Sequence, residues 1–159
     1  MAEKQSLDEP FAANPQYWGR YEDKYEQAIK RCEFCLPEFQ ARAILLPVDG
    51  WIAVPSEFPP RDREGGFPEH AILLLPIAHR HPHSCLISAD DWATIGVLTR
   101  LLEYKFRTGG SCLCTRRGRY EISGWTIGHI HWYWFVPRRV EDPSGSGQFR
   151  TIPLDWPVG

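Results

Sequence analysis

The chain has no long hydrophobic run and no marked excess of charge of either sign. No apolar stretch approaches the roughly 20 residues needed to span a bilayer, and the N-terminal residues lack the apolar core of a signal peptide. The formal net charge of −2 gives no general reason to expect nucleic acid or an anionic membrane as partner. We therefore expect a cytoplasmic protein that does not associate with membranes.

The cysteine content does not suit a disulfide framework. The five cysteines are an odd number, and in a reducing compartment they would act as metal ligands or as small buried apolar residues. The chain is not predicted to be disordered, because 43% of its 159 residues are hydrophobic and 13% are aromatic. This length fits a single domain with a hydrophobic core.

Composition divides the chain into three parts. Residues 1–13 are polar and predict a disordered N-terminus, while residues 138–159, rich in Arg, Pro, Ser and Gly, predict a C-terminal tail. The domain between them, residues 14–137, should begin with a helix, because Asn14 is a good N-cap and Pro15 fits the first helical position.

Short apolar runs predict strands in this domain. The Asp-Gly pair at 49–50 separates the runs Ala43–Pro47 and Trp51–Pro55, which is a strong hairpin signal. In residues 56–69, paired prolines and paired glycines interrupt any regular period, so we expect a long loop. His70–Pro76 is apolar on both faces and predicts a buried strand.

A second helix should follow these strands. Ser88 and Asp91 have the spacing of a capping box, and the glycines at 109–110 should end the helix. Its predicted core stripe consists of Trp92, Ile95, Leu98, Leu101 and Leu102. A strand at Ser111–Thr115 comes next. Strands arranged as hairpins, with one helix before and one between them, predict an α+β fold with a mainly antiparallel sheet of about five strands.

The stretch from Gly124 to Pro137 has the period of two that is typical of a strand. One face would be large and apolar and would pack on a core: Ile130, Trp132, Trp134 and Val136. The other face would carry His129, His131, Tyr133 and Phe135. Two imidazoles would then point the same way from a rigid backbone, as ligands, nucleophiles or proton carriers. The alternative is a strand with two surface histidines. The remaining histidines are expected to be packed or exposed: His70, His81 and His83.

Cys32 and Cys35 have the spacing of half a zinc site, because two intervening residues let both thiolates reach one tetrahedral ion. The histidine clusters offer the missing ligands, and we expect His79 and His129 to complete a Cys2His2 site. A redox-active pair or two unligated cysteines are alternatives. A separate metal site is also conceivable at two cysteines that share one face of the strand at 111–115: Cys112 and Cys114.

The segment Gly124–Tyr133 resembles the signature of the histidine-triad (HIT) superfamily. That signature alternates histidines with apolar residues and places a small hydroxyl residue, here Thr126, three positions before the first histidine. The Cys-x-x-Cys pair, the Asp-Gly hairpin, a strand followed by Pro-x-x-His, and the capped helix come in the family's order. The resemblance covers about residues 32–137 and extends to zinc-bearing bacterial members and to galactose-1-phosphate uridylyltransferase.

The resemblance implies a HIT-like fold and a two-step reaction on a nucleotide phosphoanhydride, phosphoramidate or related ester. His131 would attack the α-phosphorus and form a covalent nucleotidyl-histidine, which water or a second substrate resolves, as in a nucleotidyl hydrolase or transferase. His129 and His79 would bind a structural zinc together with the cysteine pair, and Thr126 would contact a phosphate oxygen. A homodimer is implied as well.

The candidate substrate-binding residues lie just upstream of the histidines: Arg116, Arg117, Arg119 and Gly124. The arginines would neutralise phosphate charge; a solvated basic turn is the alternative. The third triad position carries Tyr133, where most members have histidine. Tyrosine can donate a hydrogen bond to a leaving oxygen but is a poor proton shuttle at neutral pH. The alternative function is therefore a catalytically impaired, zinc-stabilised module that binds a nucleotide or RNA, although net charge does not indicate RNA. A dimeric scaffold for protein partners is a third possibility.

Overall fold

The computed structural model describes residues 32–57, 59–80, 87–115, 129–141, 143–145 and 149–152. The helix predicted at Asn14 lies outside these residues. So do several predicted site residues and histidines: His81, His83, Arg116, Arg117, Arg119, Gly124 and Thr126.

The described chain begins with a 3-10 helix at Glu33–Cys35, followed by the short helix α1, Pro37–Gln40. The long helix α2 spans Ala89–Phe106. The strands are β1 (Trp51–Pro55), β2 (His70–Pro76), β3 (Cys112–Thr115), β4 (Trp132–Val136), β5 (Arg139–Glu141) and β6 (Phe149–Thr151). No helix within the described ranges is both long and apolar enough to cross a membrane.

Within the described ranges, the main sheet has four strands in the order β1–β2–β4–β3, and every neighbouring pair is antiparallel. The predicted α+β class is therefore confirmed. The run at 43–47 does not form a regular strand among the described residues. Asp49 and Gly50, with φ of 46° and 77°, make a tight turn, and Val48 pairs with Trp51 across it in an isolated bridge. Farther from the turn, the Ile44 N–H donates to the Ala53 carbonyl at 2.9 Å. A separate two-stranded sheet, β5–β6, was not predicted.

The two faces of the main sheet bury different clusters, as the alternation along β4 predicted. One face packs against α2. Its cluster comprises Trp51, Ala53, Ile72, Leu74, Ile95, Leu98, Leu102, Ile130, Trp132, Trp134 and Val136. The other face is covered by the cysteine segment at the start of the described chain. Its cluster comprises Cys32, Phe34, Phe39, Ile52, Val54, Leu73 and Leu75, with Tyr133 packed at its edge. The second face carries the candidate site.

Helix α2 begins with the predicted capping box. The Ser88 hydroxyl accepts a hydrogen bond from the Asp91 backbone N–H, and the Asp91 carboxylate accepts one from the Ser88 backbone N–H. The predicted core stripe is wrong at two positions, because Trp92 and Leu101 are 52% and 40% exposed. Asp91 and Thr94 are buried in the stripe instead. The Asp91 carboxylate accepts from Arg80, and the Thr94 hydroxyl donates to Asp49. The helix ends at Phe106, and its C-cap Arg107, in a left-handed conformation, lies two residues before the first glycine.

The loop at 56–69 is irregular, as predicted, but it is fastened to the C-terminal segment. Asp62, 2% exposed, accepts a 2.8 Å hydrogen bond from Arg138 Nε, which holds the pKa of that carboxyl below its ordinary value. Gly66 makes room for this pair, since a Cβ at that position would lie 2.6 Å from the Arg138 guanidinium. Beyond Arg138, Ile152 is fully buried and its N–H donates to the Arg138 carbonyl.

Candidate metal centre and histidine site

The cysteine pair lies in a tight turn on the second face of the sheet. The Cys35 backbone N–H donates to the Cys32 carbonyl at 2.9 Å, which closes the 3-10 helix and turns both thiols to the same side. Cys32 is 3% exposed and Cys35 is half-buried. The turn therefore presents two sulfur atoms at the edge of the buried cluster.

Two histidines meet these sulfurs. The Cys32 and Cys35 Sγ atoms lie 3.3 and 3.4 Å from His129 Nδ1, and Cys35 Sγ lies 3.4 Å from His79 Nδ1. All four ligand atoms lie within 4.8 Å of one another. In a tetrahedral zinc site, bonds of about 2.3 Å to sulfur and 2.0–2.1 Å to nitrogen separate a sulfur and a nitrogen ligand by about 3.6 Å. The donor set and its spacing thus fit a zinc ion.

His129 is held in the tautomer that a metal ligand requires. Its Nε2 lies 2.9 Å from the Pro76 carbonyl, which can only accept, so Nε2 carries the proton. Nδ1 then carries the lone pair, and this is the nitrogen that faces the two sulfurs. A backbone carbonyl that fixes the non-ligating nitrogen is a common feature of histidine metal sites.

Burial makes this pocket unfavourable for net charge. It raises the pKa of the Cys32 thiol to about 12, with the neighbouring Cys35 adding to the effect. Burial also lowers the pKa of His129 to about 4 and that of His79 below its ordinary value. The imidazoles are therefore held neutral, the form in which histidine binds metals, while a divalent cation would compensate for deprotonation of the thiols.

The alternative metal site in β3 receives no support. Cys112 is exposed and Cys114 is half-buried on that strand. In the part of the chain that the structure describes, neither cysteine joins a group of three or more ligand-type side chains.

The histidine segment lies just before β4, which begins at Trp132 and is shorter than predicted. Hydrogen bonds to other parts of the chain hold the segment there. The Ile130 N–H donates to the Arg80 carbonyl at 2.6 Å, and Thr115 Oγ1 donates to the His131 carbonyl at 2.8 Å. The side-chain alternation of β4 continues through this segment, so both histidines stay on the second face.

The structure excludes two surface histidines at this point, because His129 is 0% and His131 is 6% exposed. His131 Nδ1 lies 2.8 Å from the His129 carbonyl and must donate to it. This bond leaves the lone pair on Nε2. Tyr133, half-buried, is the next residue on the same face, with its ring centroid 5.3 Å from that of His131.

Two contacts of the site were not predicted from the sequence. The Phe34 ring, between the two cysteines, packs against His131 at a centroid distance of 5.2 Å. Arg80, next to a predicted zinc ligand, binds Asp91 through two hydrogen bonds of 2.7 and 2.8 Å. The Cys-x-x-Cys pattern contains Phe34, but it gives no indication that this ring packs against His131. His70 is packed, as predicted, with its ring stacked on Phe106 at 4.0 Å.

No protein-family model and no curated protein sequence matches the chain significantly. Solved structures do match it. The crystal structure of a HIT family hydrolase from Legionella pneumophila Philadelphia 1 has a TM-score of 0.52 at 17% identity, and the match covers 72% of this chain and 96% of that one. The chain has a HIT-like fold. The sheet, the long helix and the order of the elements agree with the fold that the sequence resemblance implied.

Two further solved structures match this HIT-like chain. One is Plasmodium falciparum diadenosine triphosphate hydrolase in complex with Cyclomarin A, with a TM-score of 0.45, 17% identity, and 64% of each chain covered. The other is a histidine triad nucleotide-binding protein from Candida albicans, with a TM-score of 0.43, 18% identity, and coverage of 84% of this chain and 81% of that one.

Proposed function

We propose that this protein is a nucleotidyl hydrolase or nucleotidyltransferase that forms a covalent nucleotidyl-histidine on His131. Its substrate class would be a nucleotide phosphoanhydride, phosphoramidate or related ester. The observation that carries the proposal is the hydrogen bond from His131 Nδ1 to the His129 carbonyl, which orients the imidazole so that its neutral form has the lone pair on Nε2. The HIT-like fold and the name of the Legionella hydrolase support the same class of reaction.

The chemistry follows from this tautomer. His131 Nε2 would attack the α-phosphorus, so that a P–N bond forms while the bond to the leaving group breaks. The imidazole then carries a positive charge, and the Nδ1–H bond to the His129 carbonyl stabilises it. Water, or the hydroxyl of a second substrate, would next attack the phosphorus and release the nucleotide, returning the neutral imidazole. Because the ring is held by backbone groups, little reorganisation is needed.

Other residues would contact the leaving oxygen and the remaining phosphate oxygens. Tyr133 would donate a hydrogen bond to the leaving oxygen. Upstream, Thr126 would donate to a phosphate oxygen, and the remaining residues would bind the substrate: Arg116, Arg117, Arg119 and Gly124. These upstream assignments rest on the sequence resemblance alone.

We further propose that the four-ligand group holds a structural zinc ion, with Cys32, Cys35, His79 and His129 as ligands. When bound, the ion would supply fixed geometry rather than a reactive water, because four protein ligands complete its tetrahedron. The cysteine turn and the histidine segment are 94 residues or more apart in sequence, so a shared ion would join two distant parts of the chain beside His131. Reducing conditions in the cytoplasm, where we expect the protein, would keep both thiols available.

The function is tested by intact-mass measurement after incubation with nucleoside phosphoramidates, dinucleoside polyphosphates and sugar nucleotides, with a quench in base. We expect the wild type to gain one nucleotidyl group and His131→Asn to gain none. His70→Asn is the matched control, because His70 is packed on Phe106 away from the proposed ligands, and it should still form the adduct. An adduct that survives His131→Asn would refute the proposal.

Tyr133 favours one alternative function, a zinc-stabilised module that binds a nucleotide or RNA without turnover. Its phenol lies beside His131 where most HIT members have a third histidine. Tight nucleotide binding with no adduct in the wild type, together with hydrolysis by Tyr133→His, would support this alternative.

A homodimer is the assembly we propose. The outer face of α2 exposes apolar side chains at Val97, Leu101 and Tyr104. Ala93 and Gly96 lie on the same surface and would allow a second helix to approach closely. Sedimentation velocity should give a dimer for the wild type and a monomer for Val97→Glu, because the carboxylate would be buried without a partner. A monomeric wild type would contradict this assembly.

A further inference from the structure

The residue between the two cysteines that contacts both histidines is Phe34. Its ring is 4% exposed and meets His131 edge to face, with centroids 5.2 Å apart and an interplanar angle of 87°. The same ring lies 5.8 Å from the His129 imidazole at 65°. Aromatic pairs prefer this edge-to-face geometry because the positive edge of one ring meets the negative face of the other.

Phe34 is itself rigidly held. Its carbonyl accepts from Gln40 Nε2 at 3.1 Å, and the same amide donates to the Ile77 carbonyl at 3.0 Å. On the other side, its ring packs on Phe39 with centroids 4.8 Å apart. The Cys35–Cys32 backbone hydrogen bond closes the turn around it. The ring is therefore a fixed wall and not a side chain that adapts to its neighbour.

A fixed neighbouring ring restrains the orientation of the His131 imidazole. The bond from His131 Nδ1 to the His129 carbonyl selects a tautomer and one direction of the ring, but a flip of the imidazole would put Cδ2 in the place of Nδ1 and break this bond. Without the bond, nothing in this contact would select the Nδ1–H tautomer. Contact with Phe34 opposes this rotation, because close-packed rings cannot turn without displacing each other. An attack on phosphorus depends on this angle, since small misplacements of a reacting atom are costly.

We propose that Phe34 is a positioning residue for His131, through which the cysteine turn sets the angle of the imidazole. The catalytic consequence rests on the proposed function, whereas the orientation of the ring does not. The residue belongs to the Cys-x-x-Cys turn, so any ion held by that turn would also fix the wall against which His131 rests.

The test uses the full chain, expressed with zinc and labelled with 15N-histidine, in the variants Phe34→Leu and Phe106→Leu. Long-range 1H–15N spectra at one fixed pH report which nitrogen of His131 carries the proton, with His131→Asn providing the assignment. Phe106 is the matched control because its ring packs on His70 and Trp134, against the cluster on the α2 face of the sheet. If Phe34→Leu does not fold, Phe34→Met replaces it, since methionine adapts to the same space.

We expect His131 to show a single Nδ1–H tautomer in the wild type and in Phe106→Leu, and a mixture of tautomers in Phe34→Leu. With a nucleoside phosphoramidate in single-turnover conditions, adduct formation should slow by about 10- to 100-fold in Phe34→Leu only. A single tautomer in Phe34→Leu overturns the inference whatever the activity. If only Phe34→Leu loses the single tautomer but the wild type forms no adduct, the positioning role stands and the proposed function fails.

Discussion

Replacing Arg80 by methionine should weaken the support of the histidine segment and destabilise the fold. The Arg80 guanidinium binds both oxygens of Asp91, and its side chain is 28% exposed while that of Asp91 is 10% exposed. The Arg80 carbonyl accepts from Ile130, between the two site histidines. Loss of the guanidinium therefore leaves a largely buried carboxylate and loosens a backbone anchor of the site.

The magnitude can be worked from these contacts. Removing one partner of a buried ion pair costs about 3–5 kcal/mol. Asp91 keeps hydrogen bonds from the Ser88 backbone N–H at 2.9 Å and from Trp51 Nε1 at 3.2 Å. Arg80 is also partly solvated, which weakens the pair further, so we expect a loss of about 2 kcal/mol in the free energy of unfolding. Methionine retains the aliphatic stem, which limits lost packing.

The pH dependence of this loss has a definite sign. Hydrogen bonding to Arg80 lowers the pKa of Asp91 below the ordinary value of 3.8. A carboxyl with a depressed pKa in the folded state stabilises the protein above its unfolded pKa, and this contribution is lost as the pH falls through the folded value. The difference in stability between wild type and Arg80→Met should therefore be full at pH 7 and shrink below about pH 4.

Urea unfolding of both proteins at pH 7 and pH 3, with equal zinc added, measures this difference. Arg150→Met is the matched control, because Arg150 pairs with Glu64 where both side chains are more than 40% exposed; it should cost less than about 1 kcal/mol. An Arg80→Met variant as stable as the wild type at pH 7, or a difference that grows on acidification, would refute the reasoning.

Two further predictions concern the metal and the helix cap. Elemental analysis should find about one zinc per chain, and Cys32→Ser/Cys35→Ser should lose the zinc and be destabilised; zinc retained by the double variant would contradict the ligand assignment. Ser88→Ala should lower the free energy of unfolding by about 1 kcal/mol, because the Asp91 backbone N–H in the first turn of α2 loses its side-chain acceptor. Chemical denaturation checks this value, and an unchanged midpoint would show that the capping box contributes nothing.

Features specified by adjacent residues were predicted well. The capping box needs only Ser88 and Asp91, and the turn at Asp49–Gly50 needs only backbone conformations that these two residues adopt readily. The alternation through β4 likewise separated a core face from the face that carries His131. The spacing of the cysteines identified half of a ligand group whose other members the fold brings within 4.8 Å.

Three features that depend on distant partners were not predicted. Trp92 is 52% exposed while Asp91 is buried, the reverse of what helical periodicity predicted. Asp91 can be buried because its carboxylate pairs with Arg80, and this partner is not visible in the helical pattern. The β5–β6 pair was not predicted because its residues lack apolar alternation. Its position depends on Arg138, whose partner Asp62 lies 76 residues earlier in the chain. The contact of Phe34 with His131 is likewise a product of the tertiary fold.

The central claim is that His131 is the residue that becomes covalently nucleotidylated. Peptide mapping by mass spectrometry of a base-quenched reaction with a nucleoside phosphoramidate tests it most directly. The account predicts a single nucleotidyl group on the peptide that contains His131, attached to that imidazole and lost on brief acid treatment. A nucleotidyl group on another residue, or turnover of the phosphoramidate by His131→Asn at the wild-type rate, would contradict it.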